Sequence, residues 1–178
     1  PYLTATSCIS RDPDTGVQNM GTYRGGIKAP DRIGLKMFVN LRQGGHAHWD
    51  KYKARGEKMP MAIMVGCPPA LAYVSPQKIR EGIDEIGVAG ALVGAPIRVV
   101  KAKTVDLMVP ADAEIVIEGL VDTDMLEPEA PFGESHGHIN LEEYNFIFEV
   151  TAITRRKDAI MASIISQVTP SESSVIKR

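Results

Sequence analysis

The stretch EPEAPFGESHGH packs Glu127, Glu129, Glu134, His136 and His138 between Pro128, Pro131, Gly133 and Gly137. Its prolines and glycines exclude regular helix and central strand. They predict a fixed, irregular loop, the setting in which a scaffold commonly presents catalytic carboxylates. Glu129 and Glu134 flank the apolar Pro131-Phe132 turn. Partial desolvation there would raise a carboxyl pKa toward that of a useful proton donor. The plainer alternative is an acidic surface loop with solvated charges.

Two other stretches carry ligand chemistry. In RQGGHAHWD, His46 and His48 follow Gly44 and Gly45, whose missing side chains let backbone approach a ligand closely. A lone His-x-His is weak, because zinc-like sites need three or four convergent ligands, and a surface pair at a helix entry is the alternative. In NMGTYR, Asn19 offers an amide oxygen to a cation, Thr22 a hydroxyl to phosphate, and Arg24 a fork for carboxylate or phosphate. Taken alone it is equally a polar strand entry. Glu85, in IDEIGVAG beside Ile86, would be costly to bury unless paired or metal-bound; otherwise it lies on a solvated side with Asp84 and Lys78. Asn19, a glutamate and a phosphate suit a hard cation better than a four-ligand zinc site.

Strands must position these residues. RIGLKMFVN alternates Ile33, Leu35, Met37 and Val39 against Arg32, Gly34, Lys36 and Asn40, so one strand face is buried and the other partly polar. MAIMVG, IRVVKAKTVDLMV, EIVIEGLV, YNFIFEVTAITRR and AIMASII read as further strands, rich in β-branched or aromatic residues and bounded by turn residues. HWDKYKARGEK predicts a helix stopped by Gly56. SPQKIREGIDEIGVAGALVG predicts another, opened by Ser75 and Pro76 and facing inward with Ile79, Ile83 and Ile86. The pattern predicts one β-rich α+β domain over residues 1–178.

Composition sets the outer bounds. The chain has 178 residues, 44% of them hydrophobic and 24% charged, and a formal net charge of -2. That describes an ordinary globular domain without a basic face, so neither nucleic acid nor an anionic membrane is an expected partner. Cys8 and Cys67 lack metal spacing and read as unpaired thiols of a reducing, cytoplasmic setting. A start at Pro1 without Met leads to the expectation of a piece of a longer protein.

In order and spacing, NMGTYR, RQGGHAHW, MPMAIMVGCPPALAY, GIDEIGVAGALVG, VDLMVPADAEIVIEG and PEAPFGESHGH resemble the UbiD-like decarboxylases, which use prenylated flavin mononucleotide (prenylated FMN). The resemblance covers nearly the whole chain, and VPADAEIVIEG followed by PFGE is its most specific part. It implies a central cofactor-binding domain: a β-rich split β-barrel, flavin reductase-like, with a few flanking helices. By the same resemblance, Arg24, Glu129 and Glu134 form the catalytic network, with Glu134 the proton donor. Asn19, Thr22, Tyr23, Arg24, Gln43, Gly44 and Gly45 would lie along the cofactor. Asn19, Glu85 and a histidine would hold a divalent, manganese-type ion at its phosphate, with a monovalent cation such as potassium a further expectation. The family's histidine lies a few residues nearer the Asn, so this segment carries a small insertion; His46 and His48 are both candidates, His46 first.

The implied reaction is reversible decarboxylation of an aromatic or α,β-unsaturated acid, with hydroxylated aromatic acids the nearest branch. Loss of carbon dioxide leaves electron density on carbon that water cannot stabilise, so a cofactor must accept it. Arg24 would hold the substrate carboxylate or keep Glu129 ionised, and Glu134 would return the proton. A flavin prenyltransferase would supply the cofactor, and the full-length protein would be a homo-oligomer. A non-catalytic flavin-binding subunit of a multi-subunit carboxylase and a plain flavin reductase are the alternatives.

Overall fold

An apolar run of seven residues can be a strand only if both of its faces are covered. Met59–Val65 meets that condition. Met59, Met61, Ile63 and Val65 face one apolar cluster, while Ala62 and Met64 face a second. The computed structural model describes residues 1–37, 43–141 and 143–176. In chain order the elements are β1 (Tyr2–Leu3), β2 (Thr6–Arg11), β3 (Gln18–Gly21), β4 (Gly25–Ala29), β5 (Arg32–Leu35), α1 (Gly44–Arg55), β6 (Met59–Val65), α2 (Pro69–Val74) and α3 (Glu85–Val93). There follow β7 (Val99–Lys101), β8 (Met108–Pro110), β9 (Ile115–Pro128), β10 (Phe132–Gly133), β11 (Ile139–Asn140), β12 (Tyr144–Arg155) and α4 (Glu172–Ile176).

Eight strands form one antiparallel sheet in the order β1-β4-β5-β12-β9-β6-β2-β3. Its connectivity forces it to curl. β3 and β4 stand six places apart, about 29 Å if the sheet were flat at ~4.8 Å per strand. Yet only Thr22, Tyr23 and Arg24 link Gly21 to Gly25, a reach of at most about 14 Å. Beside them the chain crosses the same seam between β1 and β2, and Thr6 Oγ1 ties the two crossings together by donating 2.5 Å to the Tyr23 carbonyl. Among the described residues β1 and β3 do not pair, so the sheet is open at this seam, a split rather than a closed barrel.

Helix α1 covers one face of the sheet, α2 and α3 the other. Trp49 and Tyr52 of α1 bury against Met59, Met61 and Phe146, each worth on the order of 1.5–3 kcal/mol relative to exposure. The helix stops at Gly56, which takes the left-handed φ of 68° expected of it. Ile86 and Ala89 of α3 pack with Leu71, Val74 and Met64 in the second cluster.

Four expectations are corrected. Ser75 and Pro76 do not open a long helix; Ser75 closes α2, and α3 begins only at Asp84, whose side chain accepts from the Ile86 N–H at 2.9 Å. The cap wins because Gly82, at φ 83°, interrupts the run before it, leaving Ile83 exposed rather than inward. The AIMASII stretch is not a strand: Ile160 donates its N–H to Glu114 and Ile164 to Thr4, so side chains replace the sheet partner. IRVVKAKTVDLMV is not one strand but the β7–β8 hairpin. The expected strand from Arg32 ends at Leu35, and Phe38, Val39 and Asn40 lie outside the described residues.

Candidate functional site

The paired carboxylates converge on one guanidinium. Sheet pairing of β9 with β12 ends at Pro128, which has no N–H to continue the ladder, and the next residue turns inward. Glu129 donates its N–H to the Glu143 carbonyl at 2.6 Å, and its side chain is buried. Arg24, at the end of the seam crossing, donates from Nε to Glu129 Oε1 at 2.7 Å and from Nη2 to Oε2 at 2.9 Å. Its Nη1 donates to Glu134 Oε1 at 2.5 Å. Glu134 sits at the tip of the β10–β11 hairpin, its N–H bonded to the His138 carbonyl at 2.9 Å.

Packing fixes this network from below. The Arg24 guanidinium lies 4.3 Å over the Phe132 ring, which meets Tyr2 edge-on at 4.8 Å, and the Tyr2 hydroxyl donates to the Ala130 carbonyl. Burial alone would lower the Arg24 pKa; the hydrogen bonds and charges of Glu129 and Glu134 outweigh it and raise it. Lys36, just past β5, pairs with Glu143 and is buried, although the strand alternation had put it on a partly polar face. Its pKa is pushed down by burial, with Glu129 opposing and Arg24 adding to the shift.

A second cluster forms at the other end of NMGTYR. Asn19 of β3 stands opposite Ser10 of β2. Its carboxamide lies against the Cα of Gly44, where any Cβ would collide with it, and its buried Nδ2 lacks a hydrogen-bond partner. Next to Asn19, the Met20 N–H donates to Glu85 Oε2 at 2.9 Å. Glu85 is buried in the first turn of α3, and burial raises its pKa against the N–H groups that bond it. His48 Nδ1 is 2.9 Å from Ser10 Oγ, and burial lowers its pKa. Asn19, Gly44, His46, His48 and Glu85 line one cleft of about 400 Å³.

That set supplies only part of the shell a divalent cation needs. The buried Glu85 carboxylate, the Asn19 carboxamide oxygen and an imidazole fixed through its other nitrogen are the oxygen and nitrogen groups at hand, while the unpartnered Asn19 Nδ2 can donate to an anion such as phosphate. Among the described residues no three His, Cys, Asp or Glu side chains gather as a metal cage, so protein ligands alone do not complete the site. His46 differs from His48. Its ring packs with Trp49 and Phe146, and its Nδ1 faces Asp50 at 3.3 Å.

The clefts adjoin along the hexapeptide. Asn19, Gly44 and Glu85 also line a cleft of about 330 Å³ with Thr22, Tyr23 and Gln43. Thr22 in turn borders a third, of about 220 Å³, which Arg24 and Lys36 reach. From the cleft of about 330 Å³ the Tyr23 phenol reaches into the core, accepting from the Gly45 N–H at 3.0 Å, and Gly45 is needed because a Cβ there would press on that ring. His136 and His138 stack on each other outside the network. Reading the sequence did not find Lys36 or Ser75, whose hydroxyl is 3.0 Å from Thr22 Oγ1; both sat inside patterns already assigned to regular elements. A roomier cleft, of about 850 Å³, lies against α3 and residues 16–18 and is lined by the charged residues Arg11 and Asp84.

The profile of the family described as UbiD: 3-octaprenyl-4-hydroxybenzoate carboxy-lyase Rift-related domain matches residues 1–168. This chain belongs to the UbiD family. Relatives from Aquifex aeolicus and Archaeoglobus fulgidus are 37% and 33% identical to it over 172 residues, 96% of this chain but 35% of theirs. The chain therefore spans about a third of the length of these relatives. Among solved structures, an evolved dimeric form of the UbiD-class enzyme HmfF from Pelotomaculum thermopropionicum, in complex with prFMN, is 37% identical with a TM-score of 0.88. The match covers 93% of this chain and 38% of that one. The vanillic acid decarboxylase of Sedimentibacter hydroxybenzoicus, in closed form, is 28% identical with the same TM-score of 0.88, covering 93% of this chain and 36% of its own. Component B of nitrilotriacetate monooxygenase from Bacillus cereus, 12% identical over 85% of this chain and 69% of its own with a TM-score of 0.58, is similar to this chain in fold alone. Among the described residues no helix is long and apolar enough to cross a membrane.

Proposed function

We propose that this UbiD-family chain is the prenylated-FMN-binding domain of an enzyme that decarboxylates, or in reverse carboxylates, an aromatic or α,β-unsaturated acid. One observation carries the reading: Arg24 gathers Glu129 and Glu134, 105 and 110 residues away in sequence, at one end of the adjoining clefts, while Asn19 and Glu85 line the other end together. A solvated acidic loop would have no reason to bury Glu129 in a fork.

At the phosphate end, Asn19, Glu85 and His48 would hold the divalent ion, with Thr22 and Ser75 offering hydroxyls nearby. His48 is preferred over His46 because its Ser10 partner is the cross-strand neighbour of Asn19. The ion would neutralise the cofactor phosphate and act as an electrostatic clamp. When bound, the prenylated flavin would supply the electron sink that the departing carbon dioxide requires.

At the reacting end, Glu134 is the proton donor. Its side chain is 27% exposed against 3% for Glu129, so it alone can exchange protons with solvent between turnovers. Arg24 holds Glu129 and Glu134 in position, while Phe132 and Tyr2 limit water beneath them. The test is to express the full-length protein with a flavin prenyltransferase and screen aromatic acids for carbon dioxide release. Turnover with any acid is the expected result. Cofactor bound with neither turnover nor exchange of substrate ring hydrogen would make the protein a non-catalytic flavin-binding subunit.

A further inference from the structure

On the proposed function, a cation must receive the substrate carboxylate. Arg24 is the obvious one, yet three of its five N–H donors, one on each nitrogen, are held by Glu129 and Glu134. Turning it to a substrate would strand the Glu129 carboxylate, whose side chain is only 3% exposed, without its partner. We propose that Lys36, rather than Arg24, grips the carboxylate of the substrate.

The cleft at this end is built for an anion. Its charged lining residues are the two cations Arg24 and Lys36, and among the described residues no carboxylate lines it. Its other polar groups are the hydroxyls of Thr4, Thr22, Ser166 and Ser173, all capable of donating to an oxyanion. Phe132 and Ile164 provide the apolar wall for a ring. The cleft's volume, about 220 Å³, suits a molecule of one ring. Lys36 itself is buried and pairs with Glu143, whose side chain is 36% exposed. Glu143 is thus far more exposed than Glu129, and losing its ammonium partner costs it less than losing Arg24 would cost Glu129. The charge of the carboxylate disappears as carbon dioxide forms, so this grip acts on the bound substrate more than on the transition state. Lys36 is thus a binding residue, seen in KM before kcat.

The test uses the full-length protein and an unreactive probe pair, benzoate and its neutral isostere benzamide, with affinities measured by calorimetry. Wild type is expected to prefer benzoate, K36M to bind it about tenfold more weakly with benzamide unchanged, and K36R to stay within about threefold of wild type. E143Q, which releases the ammonium, should tighten benzoate binding and keeps the proposal testable if K36M fails to fold. Benzoate affinity in K36M equal to wild type, or weakened binding in E143Q, overturns the proposal. Carbon dioxide release by the cofactor-loaded wild type is scored separately: its absence with every acid would overturn the proposed function, while the benzoate comparison would still decide the role of Lys36.

Discussion

Arg24 clasps Glu129 through two parallel hydrogen bonds, from Nε at 2.7 Å and Nη2 at 2.9 Å, and the clasp joins the seam of the split sheet to the end of β9. Such a fork requires a planar guanidinium. In the full-length enzyme, R24K should lower kcat/KM by about a hundredfold while cofactor content stays near wild type, because lysine offers a single point charge and leaves Glu129 mispositioned. Steady-state kinetics with flavin quantified by absorbance check this. Wild-type rates in R24K would mean that the fork is not used.

Glu134 reaches the same guanidinium through one bond and keeps 27% of its side chain exposed. Replacing it by glutamine preserves a hydrogen-bonding partner and removes the proton. E134Q is therefore expected to lower decarboxylation by about two to four orders of magnitude, and to abolish deuterium uptake from solvent into product, with little change in cofactor binding. Mass spectrometry of the product in heavy water reads the second effect. Near-normal turnover would sink the assignment of Glu134 as donor.

Much of this arrangement was legible in the sequence, for physical reasons. The alternation in RIGLKMFVN and the doubly buried run at Met59–Val65 announce strands, because burial on one or two faces leaves a period in the residues themselves. The Pro- and Gly-rich path from Glu127 to His138 likewise announces a loop with carboxylates. What no local pattern carries is the seam. That Thr22 to Arg24 must bridge the two ends of an eight-stranded sheet follows only from the strand order, a non-local fact. Lys36 was hidden for the same reason: in the alternation it belongs to a partly polar strand face, and only the fold of Glu143 over it makes that face an interior. Ser75 misled in the opposite way, since Ser-Pro is a good helix start and the competing cap at Asp84 was the stronger one.

The two histidines of RQGGHAHWD are predicted to separate cleanly. His48 is held through Nδ1 by Ser10 beside Asn19, whereas His46 sits in the aromatic packing of Trp49 and Phe146. H48A should reduce bound divalent metal by at least about tenfold, by the usual effect of losing a ligand or its orienting partner, with a small change in melting temperature. H46A should instead lower the melting temperature and retain metal. Metal analysis of the two purified full-length variants, with thermal unfolding alongside, checks both; metal lost from H46A alone would transfer the ligand role to His46.

The helix that carries both histidines is pinned by charge, which makes its docking sensitive to acid. Lys51 of α1 lies 2.7 Å from Asp12 and 3.3 Å from Asp14, in the turn between β2 and β3, and Arg55 also reaches Asp14. Burial would raise the Asp12 pKa, but the hydrogen bond from Lys51, the Asp14 N–H and the Lys51 charge win, and hold it at about 2. A folded pKa below the unfolded value of ~3.9 means that the ionised form contributes stability above pH ~4, and that this is lost as pH falls toward about 2. The full contribution is about 2.5 kcal/mol, of which about half is gone by pH 3. D12N should therefore be less stable than wild type by about that amount at pH 5, and the gap should shrink to about 1 kcal/mol at pH 3. Urea unfolding of the two full-length proteins, followed by Trp49 fluorescence at both pH values, measures the gap. A gap that is the same at pH 5 and pH 3 would show that Asp12 does not lose its charge in this range, and that α1 is held to the β2–β3 turn by packing alone.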